Sequence, residues 1–237
     1  VKRIFIDNKF DIVINCTAII NIDYCEKNYS YAKKVNSNFV KELAKLSKIY
    51  HFKLVQISSD HVYKGNKGSL NKETDRTFAV NNYAKSKILA EEHCKNLQNY
   101  LVIRTNFTGK KNNSFLDKLI KSINNSKKVL LFDDMFASTM DVKTCAKIVV
   151  KLAIIKSKGI YNLGTKDMIS KKEFAINISK LKKKKLIYET VSSKILQVPR
   201  GQNLGLDVRK IEKKLKKKMI SSKQSIKKIL RFYIWKF

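Results

Sequence analysis

Hydrophobic residues along this 237-residue chain follow two rhythms. Asp11-Ile-Val-Ile-Asn-Cys16, Lys53-Leu-Val-Gln-Ile-Ser58, Tyr100-Leu-Val-Ile-Arg104 and Gly159-Ile-Tyr-Asn-Leu163 are short apolar runs rich in β-branched residues. Such runs read as strands buried on both faces. Between them the spacing is helical. Over 28–50, Val35, Phe39, Leu43 and Leu46 fall on one face. Residues 81–98 and 113–125 also read as helix, as does 141–156 with Val142, Cys145, Val149 and Leu152 inward; Lys128–Phe132 reads as extended. Strands separated by helices predict βαβ units and an α/β fold with a parallel sheet. From about 165 the pattern changes. A helix over 170–180, a strand over 186–190 and helices near 207–215 and 222–232 predict a smaller lobe, which frames a cleft with the first. No internal repeat or long linker interrupts the chain.

Composition narrows the classes. Apolar residues at 43% and charged residues at 30% support a sizeable core and exclude wholesale disorder. Cys16, Cys25, Cys94 and Cys145 form no C-x-x-C pair and have no His at ligand spacing. That argues against a zinc site or disulfide framework and for a reducing compartment, the cytoplasm. No apolar run approaches the roughly 18–20 residues of a membrane helix, and no signal peptide is expected. The net charge is +32, unevenly spread: residues 1–120 carry 21 basic and 11 acidic side chains, residues 121–237 carry 30 and 8. The dense runs at Lys182–Lys185 and Lys213–Lys218 are not interleaved with base-stacking aromatics. They read as a solvated surface with a weak, salt-sensitive affinity for polyanions.

The candidate chemistry centres on Tyr83-Ala-Lys-Ser-Lys87. On a helix, residues i and i+4 share a face, and a cation beside a phenol lowers its pKa towards neutrality. Spacing alone does not choose this pair. Tyr29/Lys33 and Tyr63/Lys67 match equally, and chance predicts about two such pairs in so Lys-rich a chain. Context chooses it: the strand over 53–58 ends in Ser58-Ser59-Asp60, and parallel sheets bind ligands beyond the carboxyl ends of their strands. Tyr83 opens a helix a short loop later. The bland alternative for Ser58 and Ser59 is a turn or helix cap. Tyr29 and Tyr63 read as surface tyrosines.

Taken in order, Asp11–Ala18, Val35-Asn36, Gln56-Ile-Ser-Ser-Asp-His-Val-Tyr-Lys-Gly65, Tyr83–Lys87 and Val102-Ile-Arg-Thr105 resemble the extended short-chain dehydrogenase/reductase superfamily. Within it the chain is most similar to the dTDP-4-dehydrorhamnose reductase family. Asn21–Glu26, Ser114-Phe115, Phe132-Asp-Asp134 and Asn203–Asp207 fit the same family. The resemblance implies a Rossmann-type doubly wound parallel sheet over 1–164, lacking its first βαβ portion. A smaller C-terminal α/β substrate lobe follows over 165–237. It further implies an NADP or NAD cofactor, a nucleotide-sugar substrate and reduction of a 4-keto-6-deoxy sugar. Ser59 would polarise the carbonyl, Tyr83 would protonate the alkoxide, and Lys87 would hold the cofactor ribose and tune Tyr83. Cys16, Thr17, Ala18, Asn36, Ser58 and Thr105 would serve the cofactor. Asp60, His61, Asn106 and Arg200 would serve the substrate, Arg200 because a guanidinium fork suits phosphate oxygens. A homodimer is a further expectation; no metal ligands are assigned.

Two departures qualify the resemblance. No glycine precedes Gly65, so the Gly-rich phosphate turn is expected ahead of Val1, in a segment that this chain lacks. Ser138-Thr139-Met140 stands where the family shows Ser-Pro-Thr. His61 replaces the Glu of related dehydratases and argues for reduction over water elimination. The alternatives are a sugar-nucleotide epimerase of the same fold, a non-catalytic regulatory relative, and a polyanion-binding protein resting on the charge alone.

Overall fold

The computed structural model describes residues 2–66, 68–109 and 114–234. A short helix α1 (Lys2–Asp7) leads into β1 (Ile12–Asn15), helices α2 (Ile22–Lys27), α3 (Tyr29–Lys33) and α4 (Phe39–Tyr50), β2 (Lys53–Ile57), α5 (Asn82–Lys95) and β3 (Tyr100–Thr105). Next come β4 (Phe107–Thr108), α6 (Phe115–Asn124), β5 (Val129–Phe132), β6 (Phe136–Ala137), β7 (Met140–Asp141), α7 (Val142–Ile154) and β8 (Gly159–Leu163). The chain continues through β9 (Ile169–Ser170), α8 (Lys171–Lys182), β10 (Tyr188–Val191), β11 (Asn203–Leu204), α9 (Arg209–Leu215) and α10 (Ser222–Ile234).

The main sheet has the order β1-β2-β3-β8, with every pairing parallel. Alternate side chains of a strand face opposite ways. Val55, Leu101 and Ile103 therefore join one core, under α7 and α9, with Cys145, Val149, Leu152 and Ile211. Leu54 and Val102 join the other, under α4 and α5, with Val40, Leu43, Ala90 and Cys94. Both faces are covered, which is why these strands read as continuous apolar runs. The expected doubly wound α/β sheet is the one observed. The helix boundaries follow their caps. Asn81 accepts from Ala84 N at the start of α5, Asp141 from Thr144 N at the start of α7, and Ser170 and Glu173 form a capping box on α8. Residue 113, at the edge of the predicted helix over 113–125, lies outside the described residues.

Helical structure begins earlier than the predicted residue 28, at Ile22, and contains a π turn over Lys34–Asn38. The wider turn moves the buried face from half-buried Val35 to Asn36, which is fully buried. A third core lies around β5, α6, α8 and α10, with Leu116, Leu119, Ile123, Phe174, Ile178, Ile226 and Ile229. The cores interleave in sequence. The third draws on residues 116–131, and the first takes Leu206, Val208, Ile211 and Met219 from the far end of the chain. Gly65, at φ +71, and Gly201 meet where these segments cross. A Cβ on Gly65 would lie 2.7 Å from the Gly201 Cα. No described helix is long and apolar enough to cross a membrane.

Candidate active site

The segments leaving β1, β2 and β3 at their carboxyl ends open onto one cleft, with α5 as its wall. Cys16, Ala18, Ile20, Ile22, Ser58, Ser59, Asp60, His61, Tyr83, Lys87, Thr105, Asn106 and Phe107 line a cavity of ≈ 220 Å³ there. Ser59 caps the turn of 3₁₀-helix over Asp60–Val62, accepting from His61 N at 3.2 Å. Its hydroxyl also donates to Asp60 Oδ1 at 2.9 Å. Asn106 Nδ2 donates to Asp60 Oδ2 at 2.6 Å, and Thr139 Oγ1 donates to Asn106 Oδ1 at 3.0 Å. This chain of side chains ties the ends of β2 and β3 to the loop before β7. Ser59 is thus a cap as well as a cleft residue, and the two readings are not exclusive.

Tyr83 and Lys87 share one face of α5, and both are nearly fully buried. Burial pushes the Tyr83 phenol up to about 12; the neighbouring Ser59 hydroxyl pulls the other way, and the Asp60 charge adds to the rise. The His61 ring packs edge-on against Tyr83, centroids 5.7 Å apart. Burial pushes Lys87 down to about 8, against the attraction of Glu91. Lys87 Nζ donates to Ile57 O at 2.7 Å. The expectation that Lys87 draws the Tyr83 phenol towards neutrality is corrected: the ammonium is turned to the end of β2, and desolvation dominates the phenol. Tyr83 is a protonated phenol at neutral pH, suited to giving a proton rather than taking one.

The RmlD substrate binding domain model matches residues 1–234. The chain belongs to that family. It is 29% identical over 170 residues to the spore coat polysaccharide biosynthesis protein SpsK of Bacillus subtilis, covering 71% of this chain and 60% of that protein. It is 26% identical over 164 residues to the dTDP-4-dehydrorhamnose reductase of Shigella flexneri, covering 65% and 54%. The chain therefore spans little more than half the length of these relatives. Among solved structures, dTDP-4-dehydrorhamnose reductase of Bacillus anthracis in complex with NADP superposes with a TM-score of 0.92 at 23% identity, covering 97% of this chain and 83% of that one. UDP-glucuronic acid 4-epimerase of Bacillus cereus, in complex with UDP-glucuronic acid and NAD, gives 0.80 at 19%, covering 97% and 76%. These likenesses show the fold.

Within this RmlD-family fold the remaining predicted residues divide. Thr105 lines the cleft beside Cys145, and exposed Thr17 does not line it. Asn36 stands behind the wall: it accepts from Ile19 N at 2.7 Å and donates to Ile19 O and Ser86 Oγ, each at 3.0 Å. It fixes the segment after β1 through backbone contacts. The Ser58 hydroxyl is committed to Glu91 Oε1 at 2.6 Å. Arg200 shares Nη2 with both Asp23 oxygens at 3.1 Å, and its Nε is buried without a partner. Tyr63 is corrected from a surface residue to a buried one. It accepts from Arg104 Nη1 at 2.9 Å and donates to Asn162 Oδ1 at 2.8 Å. Its spacing partner Lys67 lies outside the described residues. Tyr29 is half-buried below the Lys85 ammonium, away from the cleft lining.

Sequence reasoning missed two contributors, Glu91 and Lys171. Glu91 stands one turn beyond Lys87 and pairs with Arg104 Nη2 at 2.7 Å, both side chains buried. The i, i+4 continuation from Tyr83 through Lys87 was its signal. Phe107, on β4, lines both this cleft and a neighbouring ≈ 210 Å³ cavity. Lys171 lines that second cavity. As one of many lysines in a basic stretch, it carried no signal.

Proposed function

We propose that this chain provides the proton-donating and substrate-side machinery of an NAD(P)H-dependent reductase acting on a nucleotide-linked 4-keto-6-deoxy sugar, a dTDP-4-dehydrorhamnose reductase-like reaction in the cytoplasm. One observation carries the reading: the Ser59, Tyr83 and Lys87 side chains line one cleft, with the Ser59 hydroxyl close enough to act on the Tyr83 phenol. The residues fit the nicotinamide–ribose end of a dinucleotide. Lys87 uses one of its three N–H groups on Ile57 O, and Ala18, Ile20 and Ile57 give the wall an apolar stretch. A reduced nicotinamide supplies a hydride when bound. The chain's own residues do the rest. Ser59 donates a hydrogen bond to the keto oxygen, and Tyr83 passes its phenolic proton to that oxygen as it becomes an alkoxide. The carbonyl thus gains H⁻ at carbon and H⁺ at oxygen. Lys87 holds ribose hydroxyls with the N–H groups that Ile57 O leaves over.

The test is oxidation of NADPH or NADH on adding a dTDP-4-keto-6-deoxy sugar. Tyr83→Phe should lower kcat by about 10²–10⁴-fold with cofactor binding retained. Unchanged turnover in Tyr83→Phe would remove the assignment. An epimerase would give a new stereoisomer with no net loss of NAD(P)H, and a regulatory relative would bind without turnover.

A further inference from the structure

Helices α8 and α10 pack together over the third core and present a basic face to solvent. Residues 174–188 hold five lysines and no acidic residue; residues 213–237 hold ten basic residues and no acidic one. On α10, Lys223, Lys227 and Arg231 stand four residues apart, so they share one side of the helix, and all three are exposed. Exposed Lys180 of α8 and Lys223 of α10 line one cavity of ≈ 300 Å³, with Leu181 and Ile226 as its apolar part. Lys182–Lys185 follow directly from the end of α8, where Lys183 takes the left-handed conformation and Lys184 N donates to Ser179 O at 3.3 Å. Among the described residues none of these cationic side chains has an ion-pair or hydrogen-bond partner. The acidic residues nearest to α8 in sequence are committed, Glu173 to the cap of α8 and Glu189 to Lys128 at 2.6 Å. The stripe also runs against the helix dipole. Lys223 sits in the first turn of α10, which holds no acidic residue, and a cation there is disfavoured. Self-repulsion and dipole both oppose this face, and an external anion would offset both.

We propose that the α8–α10 face docks the protein on a membrane surface rich in anionic phospholipid. This goes beyond the reductase reading and does not depend on it. Clusters of about four to eight Lys or Arg suffice for such docking. Lys180, Lys182–Lys185, Lys223, Lys227 and Arg231 make eight. A phospholipid matches both parts of the face: headgroup oxygens for the ammonium groups, and hydrocarbon for Leu181, which is 39% exposed among the cations. A nucleic acid would need stacking platforms, and no aromatic side chain among the described residues lines this cavity. Seven of the eight cations are Lys, compact charges suited to mobile headgroups rather than to forked recognition of one phosphate. Lys171, at the start of α8, lines the cavity beside the cleft, and Lys180 lies nine residues on, about 14 Å along the helix. The docked protein thus keeps its cleft open to a soluble substrate.

The test is flotation with vesicles of phosphatidylcholine alone and of phosphatidylcholine carrying about 30% phosphatidylglycerol, at about 150 mM salt. The wild type should float with the acidic vesicles and not with the neutral ones. The triple variant Lys180→Gln/Lys223→Gln/Lys227→Gln should bind the acidic vesicles about tenfold or more weakly, with a thermal midpoint unchanged or raised. Lys213→Gln/Lys214→Gln/Lys217→Gln, on and just after α9, removes the same charge elsewhere and should lose less than about threefold. Leu181→Ser should weaken vesicle binding severalfold and leave duplex-DNA binding untouched. No flotation of the wild type overturns the proposal, as does wild-type flotation of the α8–α10 variant. An equal loss in the α9 variant overturns it by making net charge the whole cause, and vesicle binding unmoved by Leu181→Ser overturns the lipid as occupant. Duplex DNA that binds the wild type more tightly than the acidic vesicles do, and fails to bind the α8–α10 variant, overturns it as well and gives the face to nucleic acid.

Discussion

Tyr83 and Lys87 stand one turn apart, and burial moves their protons in opposite directions. A buried phenol resists losing its proton, and a buried ammonium resists keeping it. Tyr83, near 12, stays protonated over the working range, whereas Lys87, near 8, loses its charge within it. We therefore expect turnover to fall as pH rises through about 8, the limb reporting Lys87 rather than Tyr83. Lys87→Arg should move that limb upward in a pH profile of kcat/KM, because guanidinium stays charged. The stability effect has the other sign. Lys87 titrates at 10.5 when unfolded and about 8 when folded, so the unfolded chain binds more protons between those values. Its contribution to stability rises with pH across that window. Thermal midpoints of wild type and Lys87→Met should show it. A flat difference between the two would place the ammonium in solvent.

At the scale of elements, α5 reaches the sheet through Glu91. This carboxylate accepts from Arg104 on β3 and from Ser58 at the end of β2, so one side chain sets the height of the Tyr83 helix over two strands. Glu91→Ala leaves a buried guanidinium unpaired and should cost about 3–5 kcal/mol in denaturant unfolding. Asn36 does similar work from the π turn, holding Ile19 at both its N–H and its carbonyl. Asn36→Ala should cost about 1–3 kcal/mol and raise KM for the cofactor more than it lowers kcat, since it loosens the wall without touching the hydroxyls. The main strands and most helices were legible because each keeps a regular period over four or more residues. The π turn was not: one extra residue per turn leaves no periodic trace. The two-residue strands β4, β6, β7, β9 and β11 are too short to carry one.

At the scale of the whole molecule, the crossing of residues 64–65 and 199–204 holds the cleft's two sides together. Gly201→Ala would place a Cβ 2.7 Å from Leu204 Cδ2 and 3.0 Å from the Lys64 carbonyl oxygen. We expect a loss of about 1–3 kcal/mol in thermal or urea unfolding, together with weaker substrate binding. An alanine variant as stable and active as wild type would mean that the crossing can open at little cost. The charge of +32 belongs to this scale as well. Affinity for duplex DNA should be weak and should fall by about tenfold or more between 50 and 200 mM salt. Tight binding that survives physiological salt would favour the polyanion reading.

The sequence by itself determined the alternation of strand and helix, the placing of Ser59 beyond a strand, and the common face of Tyr83 and Lys87. Each follows from a backbone period acting over a few residues. Only the tertiary structure decided which partner each polar group takes. Ser58 meets Glu91 across 33 positions, Tyr63 meets Asn162 across 99, and Arg200 meets Asp23 across 177. Those choices depend on how the chain folds back on itself, which no local spacing encodes. The same long-range packing brings one lysine among 45 to the edge of the cleft.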